Sequence, residues 1–349
     1  MPQTQPRRRY QLYVGVDIAA ASFTAVWHAE DALPPPARTF AQTAAGLTGF
    51  QQQLAATGVA AAETLVVLEA TGRYWVALAV HLHAAGYVVS VVNPEPLHKW
   101  MQSLPRRSKT DPLDAQGLAQ FALERCPPPW TPPPAIYHDV RQRLVARDNL
   151  LEMRQQARNQ LHALRQWPVV VSAVEQQFEA VIGALDAQIR VLERDIAMVL
   201  ADSAWGASAA RLESIPGLGL ITSAWILVAT VHFTVTPTAE AAVGYAGLNP
   251  LKGQSGTSVR RKERLGRGGH SRLRTALYMA TLSAAQHNAV IKTFYTRLRA
   301  AGKPMKVARC AAARKLLHLA FAVVTKEQDF DPSYQKLPSP VPVELAIAA

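Results

Sequence analysis

Apolar positions near the start of the chain fall in short, nearly continuous runs, and further on they change to helical spacing. Gln11 to Ile18, Phe23 to Ala29 and Arg38 to Gln42 read as three strands joined by short turns. A helix over Ala45 to Ala56 leads to Thr64-Leu65-Val66-Val67-Leu68-Glu69, a buried strand with an acid at its end. Arg73 to Ala85 has helical character and Gly86 stops it; Tyr87 to Val92 is a further buried strand closed by Asn93-Pro94. Three strands, then strands alternating with helices, predict a mixed sheet flanked by helices.

The eight residues from Pro127 to Pro134, six of them proline, cannot be helical and predict a stiff extended linker. Beyond it, Ile136 to Gln166 and Ser172 to Ala201 read as two long helices broken at Trp167-Pro168. The second carries Val174, Phe178, Val181, Leu185, Ile189, Leu192, Ile196 and Leu200 at heptad-like spacing, which predicts a helical hairpin or coiled-coil arm. Such an arm serves either as a spacer or in subunit assembly. Residues 205 to 331 read as a third, largely helical region, and the stretch from Pro332 as a frayed tail. The expected division is 1–126, a linker at 127–134, an arm at 135–203, a second functional domain at 204–331 and a tail at 332–349.

Composition is that of a globular chain, with 49% hydrophobic and 18% charged residues. The formal charge of +12 favours a polyanionic partner, because neutralising phosphates releases their counterions. The two cysteines, Cys126 and Cys310, have no metal-ligand spacing and fit a reduced, cytoplasmic setting. Arg7-Arg8-Arg9 leads into a strand without an apolar signal core, and the longest apolar run, Leu218 to Val231, is too short for a bilayer and reads as a buried helix. No membrane partner is expected.

Four carboxylates stand out by placement. Asp17 and Glu69 each end a strand, and Asp111 and Asp114 lie one helical turn apart where a helix begins. Acids at strand ends plus such a pair are what two Mg²⁺ ions need to compensate charge on the attacking and leaving oxygens of a phosphodiester. The plainer reading makes Asp111 a helix N-cap with Pro112 at the first helical position, which leaves Asp114 unexplained.

Ser255 lies in what reads as a glycine-rich loop beginning at Gly247, followed by Arg260, Arg261, Lys262, Arg264, Arg267, Arg272 and Arg274, opposed only by Glu263. Guanidinium groups there can hold a phosphate and ease an oxyanion on the serine, while Gly266, Gly268 and Gly269 allow close backbone approach. The plainer reading is a turn serine beside a solvated basic face. Ile215-Pro216-Gly217-Leu218-Gly219 before an apolar helix resembles a helix-hairpin-helix turn, whose amides contact phosphate without reading sequence. Candidate nucleic-acid contacts are therefore Gly217, Gly219, Lys252 and the basic run, together with Arg106, Arg107 and Lys109. His270 and His287 read as structural or phosphate-contacting rather than metal ligands.

At these residues the chain resembles the DEDD transposases of bacterial insertion sequences, the group that includes Piv-type DNA invertases. The resemblance runs from about Leu12 to Asp331. It is carried by Val14-Gly15-Val16-Asp17, Leu68-Glu69-Ala70-Thr71-Gly72-Arg73-Tyr74, Lys109-Thr110-Asp111 with Leu113-Asp114-Ala115, Ile215 to Gly219, Tyr245-Ala246-Gly247-Leu248-Asn249-Pro250, Gln254-Ser255-Gly256 and Arg272-Leu273-Arg274. The resemblance implies an α/β plus α protein: a RuvC-like, ribonuclease-H-like mixed-sheet domain, a coiled-coil arm and a mostly helical transposase domain. It implies that Asp17, Glu69, Asp111 and Asp114 bind Mg²⁺, two ions per site, and that Ser255 becomes linked to DNA. It also implies donor and target DNA, a structured bridge RNA, and a tetramer built as a dimer of dimers whose subunits share active sites. Two positions depart from the family pattern: Ala20-Ala21 where Lys is frequent, and Gly269-His270 in place of Gly-Asn. The rival readings are a RuvC-like junction nuclease, which would cut without rejoining, and a non-catalytic DNA-binding assembly protein, which has no use for the carboxylates.

Overall fold

The first apolar run becomes β1 (Leu12–Ile18), followed by β2 (Ser22–His28) and β3 (Arg38–Ala41). Then come α1 (Ala44–Ala55), β4 (Thr64–Glu69), α2 (Trp75–Ala84), β5 (Val88–Val92), α3 (Pro94–Gln102) and α4 (Asp111–Arg125). The structure, a computed structural model, describes residues 10–29, 36–103, 110–255, 259–266 and 268–333. The chain divides into two compact units, Met1–Pro132 and Pro133–Ala349.

In the first unit the five strands form one mixed sheet in the order β3-β2-β1-β4-β5. β1, β2 and β3 are antiparallel neighbours, whereas β4 and β5 run parallel to β1. The two-residue period of a strand decides what each face shows. Leu12, Val14, Val16, Val66 and Leu68 pack with Phe50 and Leu54 of α1 and with Leu78 and Leu82 of α2. On the opposite face Tyr13, Leu65 and Val67 meet Leu97 of α3 and Leu118 and Ala122 of α4.

Two local expectations change. Asn93-Pro94 does more than close β5: the Asn93 side chain accepts the Glu95 amide at 3.0 Å and caps α3, with Pro94 in its first turn. Asp111 is not the cap of α4. Thr110 holds the extended N-cap position, and Asp111 lies inside the first turn beside Pro112.

The proline-rich stretch is extended but is not a free linker. The Trp130 amide donates to the Val89 carbonyl at 2.7 Å, and the Ser90 hydroxyl donates to the Pro128 carbonyl at 2.9 Å. The Trp130 ring packs edge-on against Trp75 and His83. Prolines offer no amide donor, so the strap covers the β5 edge without presenting a new one.

The second unit opens with the expected arm, α5 (Ala135–Leu164) and α6 (Ser172–Ala201), packed as a hairpin. Its cross-helix ion pairs run one way, from arginines of α5 and its C-cap to α6 acids: Arg147 with Glu193, Arg154 and Arg158 with Asp186, and the C-cap Arg165 with Glu175 and Glu179. Of the heptad-like stripe, Ile189, Ile196 and Leu200 are buried, while Val174 and Val181 face solvent at 42% and 50% exposure. After the arm come α7 (Gly206–Glu213), α8 (Leu220–Thr230), α9 (Ala239–Tyr245), β6 (Pro250–Ser255), β7 (Val259–Leu265), α10 (Ser271–His287), α11 (Ala289–Ala300) and α12 (Met305–Thr325). α8 is buried from Ser223 to Thr230, as its apolar run predicts. Among the described residues no helix is long and apolar enough to cross a membrane.

Candidate active site

The pairing of β1 with β4 runs up to Val16 opposite Leu68, so Asp17 and Glu69 are the next residues on adjacent parallel strands. Both continue the side-chain alternation of Tyr13-Gly15 and Leu65-Val67, and so belong to the sheet face that α3 and α4 cover. Ala115, Leu118, Ala119 and Ala122 turn α4 towards the sheet, which leaves the acids of its first turn at the strand ends. Asp17, Glu69 and Asp114 line one cleft of about 780 Å³, together with Thr71, Gly72, His98 and Gln102. Asp111 is exposed and does not line it.

The Asp17 carboxyl is pushed above the usual carboxylate range, first by burial and then by the charges of Asp114, Asp111 and Glu69. All four expected acids are thus close enough to be coupled. Among the described residues no three of His, Cys, Asp or Glu are gathered tightly enough to hold a metal ion. Asp17, Glu69 and Asp114 line the cleft without closing on one point. Oxygen donors of like charge fit a hard divalent cation that keeps part of its water shell, because such a cation removes the repulsion raising Asp17.

Ser255 is placed differently from expectation. It does not lie in a loop: it is the last residue of β6, paired across a hairpin with Val259 of β7. Gln254 pairs with Arg260, Gly253 with Arg261 and Leu251 with Arg264, with an irregularity between Leu251 and Gly253. The hairpin base is tightly built. Gly247 and Gly269 both take positive φ, +70° and +88°, and a β-carbon on Gly269 would lie 2.6 Å from the Gly247 nitrogen. The His270 amide donates to the Tyr245 carbonyl at 2.7 Å, and the His270 ring stacks on Tyr245. His270 Nδ1 accepts the Leu273 amide at 3.1 Å, making it the N-cap of α10 and answering its sequence reading as a structural histidine.

Two of the arginines read as nucleic-acid contacts have partners within the fold. Arg274 donates to the carbonyls of Gly268 at 2.8 Å and Ala246 at 3.2 Å, pinning both ends of the hairpin. Arg272 pairs with Asp148 at 2.9 Å and lies over the Trp225 ring. The Ile215 to Gly219 turn does join two helices, α7 and α8, and Gly217 has a packing reason: a β-carbon there would stand 2.5 Å from that of Ala284. Gly219 is exposed at the α8 N-cap. Lys252, Arg260, Arg261, Lys262 and Arg264 lie on the hairpin strands, while Arg106, Arg107, Lys109 and Arg267 fall outside the described residues.

Comparison with known proteins decides the family. Residues 14–166 match a profile described as a transposase (DEDD_Tnp_IS110), and residues 209–296 match one described as Transposase IS116/IS110/IS902 family. The pilin gene-inverting protein of Moraxella bovis is 30% identical over 322 residues, covering 91% of this chain and 97% of that protein. The chain belongs to the IS110-family DEDD transposases. The pilin gene-inverting protein of Moraxella lacunata matches over the same span at 30% identity. An uncharacterized 43.6 kDa protein of insertion element IS110 from Streptomyces coelicolor is 34% identical over 135 residues, 39% of this chain and 32% of that protein. Within this IS110-family transposase the first profile spans the carboxylate cleft and α5, and the second spans the Ser255 hairpin.

His98 and Thr71 also line the cleft, although neither carries a strand-end acid or basic-run signal in the sequence. Asn93-Pro94, a helix-start signal as well as a strand end, is the local mark of α3 and so of His98.

Proposed function

We propose that this transposase cuts and rejoins DNA through a serine–DNA ester, using the carboxylates of a RuvC-like domain and the hydroxyl of Ser255. The observation that carries the reading is the convergence of Asp17, Glu69 and Asp114 on one cleft, with Asp111 adding its charge, in a chain of the DEDD transposase family. The mixed sheet with three antiparallel and two parallel strands supports the ribonuclease-H-like assignment. The pilin gene-inverting relatives support strand exchange that ends in rejoined DNA rather than hydrolysis.

Asp17, Glu69, Asp111 and Asp114 would hold Mg²⁺, which when bound offsets negative charge on the phosphoryl oxygens and the serine alkoxide. Ser255 supplies the nucleophile: its Oγ–P bond forms as the bond from phosphorus to one deoxyribose oxygen breaks, and the freed oxygen takes up a proton. The bond energy is kept in the new ester, so attack by a second DNA hydroxyl rejoins the strand without an external energy source. Arg260, Arg261 and Arg264, on the paired strand, are the candidates for holding the phosphate. The family resemblance extends the proposal to a structured bridge RNA that brings donor and target DNA together, and to a tetramer in which different subunits supply carboxylates and serine. The solvent-facing Val174 and Val181 of α6 support an assembly role for the arm.

The test is a trapped reaction run on a denaturing gel and followed by peptide mapping. Wild type is expected to give a covalent protein–DNA adduct mapped to Ser255, absent in Ser255→Ala, which still binds DNA. An adduct that persists in Ser255→Ala, or maps to Ser258 or Ser271, rejects the serine. Cutting without any adduct favours a junction nuclease instead.

A further inference from the structure

The two oxygens of the Glu69 carboxylate face separate polar groups on separate elements, one a hydrogen-bond donor and one a close neighbour. The Thr71 hydroxyl donates to Oε1 from the turn just after β4, and His98 Nε2 stands 3.6 Å from Oε2, reaching down from α3. Glu69 itself is largely enclosed, its side chain 17% exposed, whereas His98 sits at the rim of the cleft at 54%. We propose that His98 and Thr71 are positioning residues that fix the Glu69 carboxylate for a divalent cation; this rests on the metal-dependent reading above.

Each partner is itself held. The Ala70 amide donates to the Val92 carbonyl at 2.9 Å, carrying the β4–β5 ladder one residue past Glu69, and the Thr71 amide closes a tight turn onto the Glu69 carbonyl at 2.8 Å. Gly72, with φ +64°, takes the left-handed conformation that lets the chain leave this turn. α3 is anchored at its start by the Asn93 cap, in its middle by Leu97, which is fully buried, and near its end by Trp100, edge-on to Phe121 of α4 at 5.1 Å. His98 therefore projects from a helix whose place is fixed on both sides.

The physical need follows from the side chain. Glutamate has one more rotatable bond than aspartate, and holding it in one rotamer costs conformational entropy that a ligand must otherwise offset on binding. A hydrogen bond to one oxygen and a close polar neighbour beside the other supply part of that order beforehand. Groups that orient a ligating carboxylate in this way typically change metal affinity by about 10–100-fold.

The experiment is a Mn²⁺ titration of the full-length protein without nucleic acid, read by electron paramagnetic resonance, with melting temperature measured on the same metal-free samples. Wild type, Asp17→Asn, His98→Ala, His98→Gln, Thr71→Val and Thr71→Ser are compared. Asp17→Asn is expected to lose tight Mn²⁺ binding. His98→Ala and Thr71→Val should each weaken it about 10-fold or more, while His98→Gln and Thr71→Ser, which keep a donor, recover most of it. Wild-type affinity in both His98→Ala and Thr71→Val overturns the inference while leaving the metal site standing. Weakening in the donor-keeping variants equal to that in the deletions also overturns it, because the loss is then one of packing. Binding that is indifferent to Asp17→Asn overturns the metal reading itself, and this inference with it.

Discussion

Gly15 of β1 lies directly against the backbone of α4: a β-carbon on Gly15 would overlap the carbonyl oxygen of Ala115 and the amide nitrogen of Ala119. No side chain separates strand from helix at this point; Asp17 stands two residues after Gly15, and Asp114 immediately before Ala115. The close approach is what puts a strand-end acid and a helix-start acid on the same cleft. Gly15→Ala must push α4 away by displacing backbone, which flexible side chains cannot absorb. It is expected to destabilise the first unit by about 3 kcal/mol or more and to remove recombination even at temperatures where the protein stays folded. Denaturant melts and a strand-exchange assay on the same preparation check this; a stable, active variant would show that the acids do not depend on this contact.

Asp17 is burdened by burial and by three neighbouring acids. In EDTA the Asp17→Asn variant, isosteric but uncharged, should therefore melt higher than wild type, by roughly 2–4 °C for each kcal/mol relieved. The same variant should be inactive and should gain little from Mg²⁺, whereas wild type gains. Equal melting in EDTA would mean that the acids do not strain the fold. The pattern expected is that of a site kept at some cost to stability for the sake of its chemistry.

His270 carries a pH dependence of definite sign. Burial first, then the charge of Arg141, holds its imidazole below the usual histidine value, and burial likewise lowers His232. The unfolded chain takes up protons that the folded chain refuses. Stability is thus fully present above about pH 6.5 and is lost as pH falls from there through the depressed folded values. Melting temperature should drop between pH 7 and pH 5, and His270→Asn, which keeps an N-cap acceptor, should make that drop shallower. An unchanged slope in His270→Asn would remove His270 as a contributor.

No Asp or Glu occurs between Arg264 and Lys326, and within that stretch Lys292, Arg299 and Lys303, on α11 and the turn after it, are exposed. Such a surface neutralises phosphate without reading sequence. Replacing the three with Gln is expected to weaken binding to all duplexes alike and to flatten the log K against log salt slope by about 3. Filter binding at several salt concentrations measures it; a slope within error of wild type would place the DNA on another surface.

Short apolar runs in the sequence determined the five strands, and helical spacing determined α1 and α2, because such patterns are local properties; α3, which starts at the Asn93-Pro94 strand end, was not legible in them. The acids at the ends of β1 and β4 and at the start of α4 were legible for the same reason. So was the helical hairpin, whose spacing is written along 172–201. Tertiary structure decided what depends on distant partners. Arg272 and Arg274 look like two more cations of a basic run, yet Asp148, Trp225 and the carbonyls of Ala246 and Gly268 occupy them. The proline strap looks like a linker until Val89 and Ser90 are seen to bind it. The Ser255 segment, rich in glycine and charge, has no apolar alternation to announce β6 and β7, and its pairing is fixed at the base by the crossing of Gly247 and Gly269. His98 became a partner of Glu69 only when α3 was laid beside the end of β4. Periodicity is carried by neighbours along the chain, whereas the choice of partner for a charge or a carbonyl is made by packing between elements far apart in sequence.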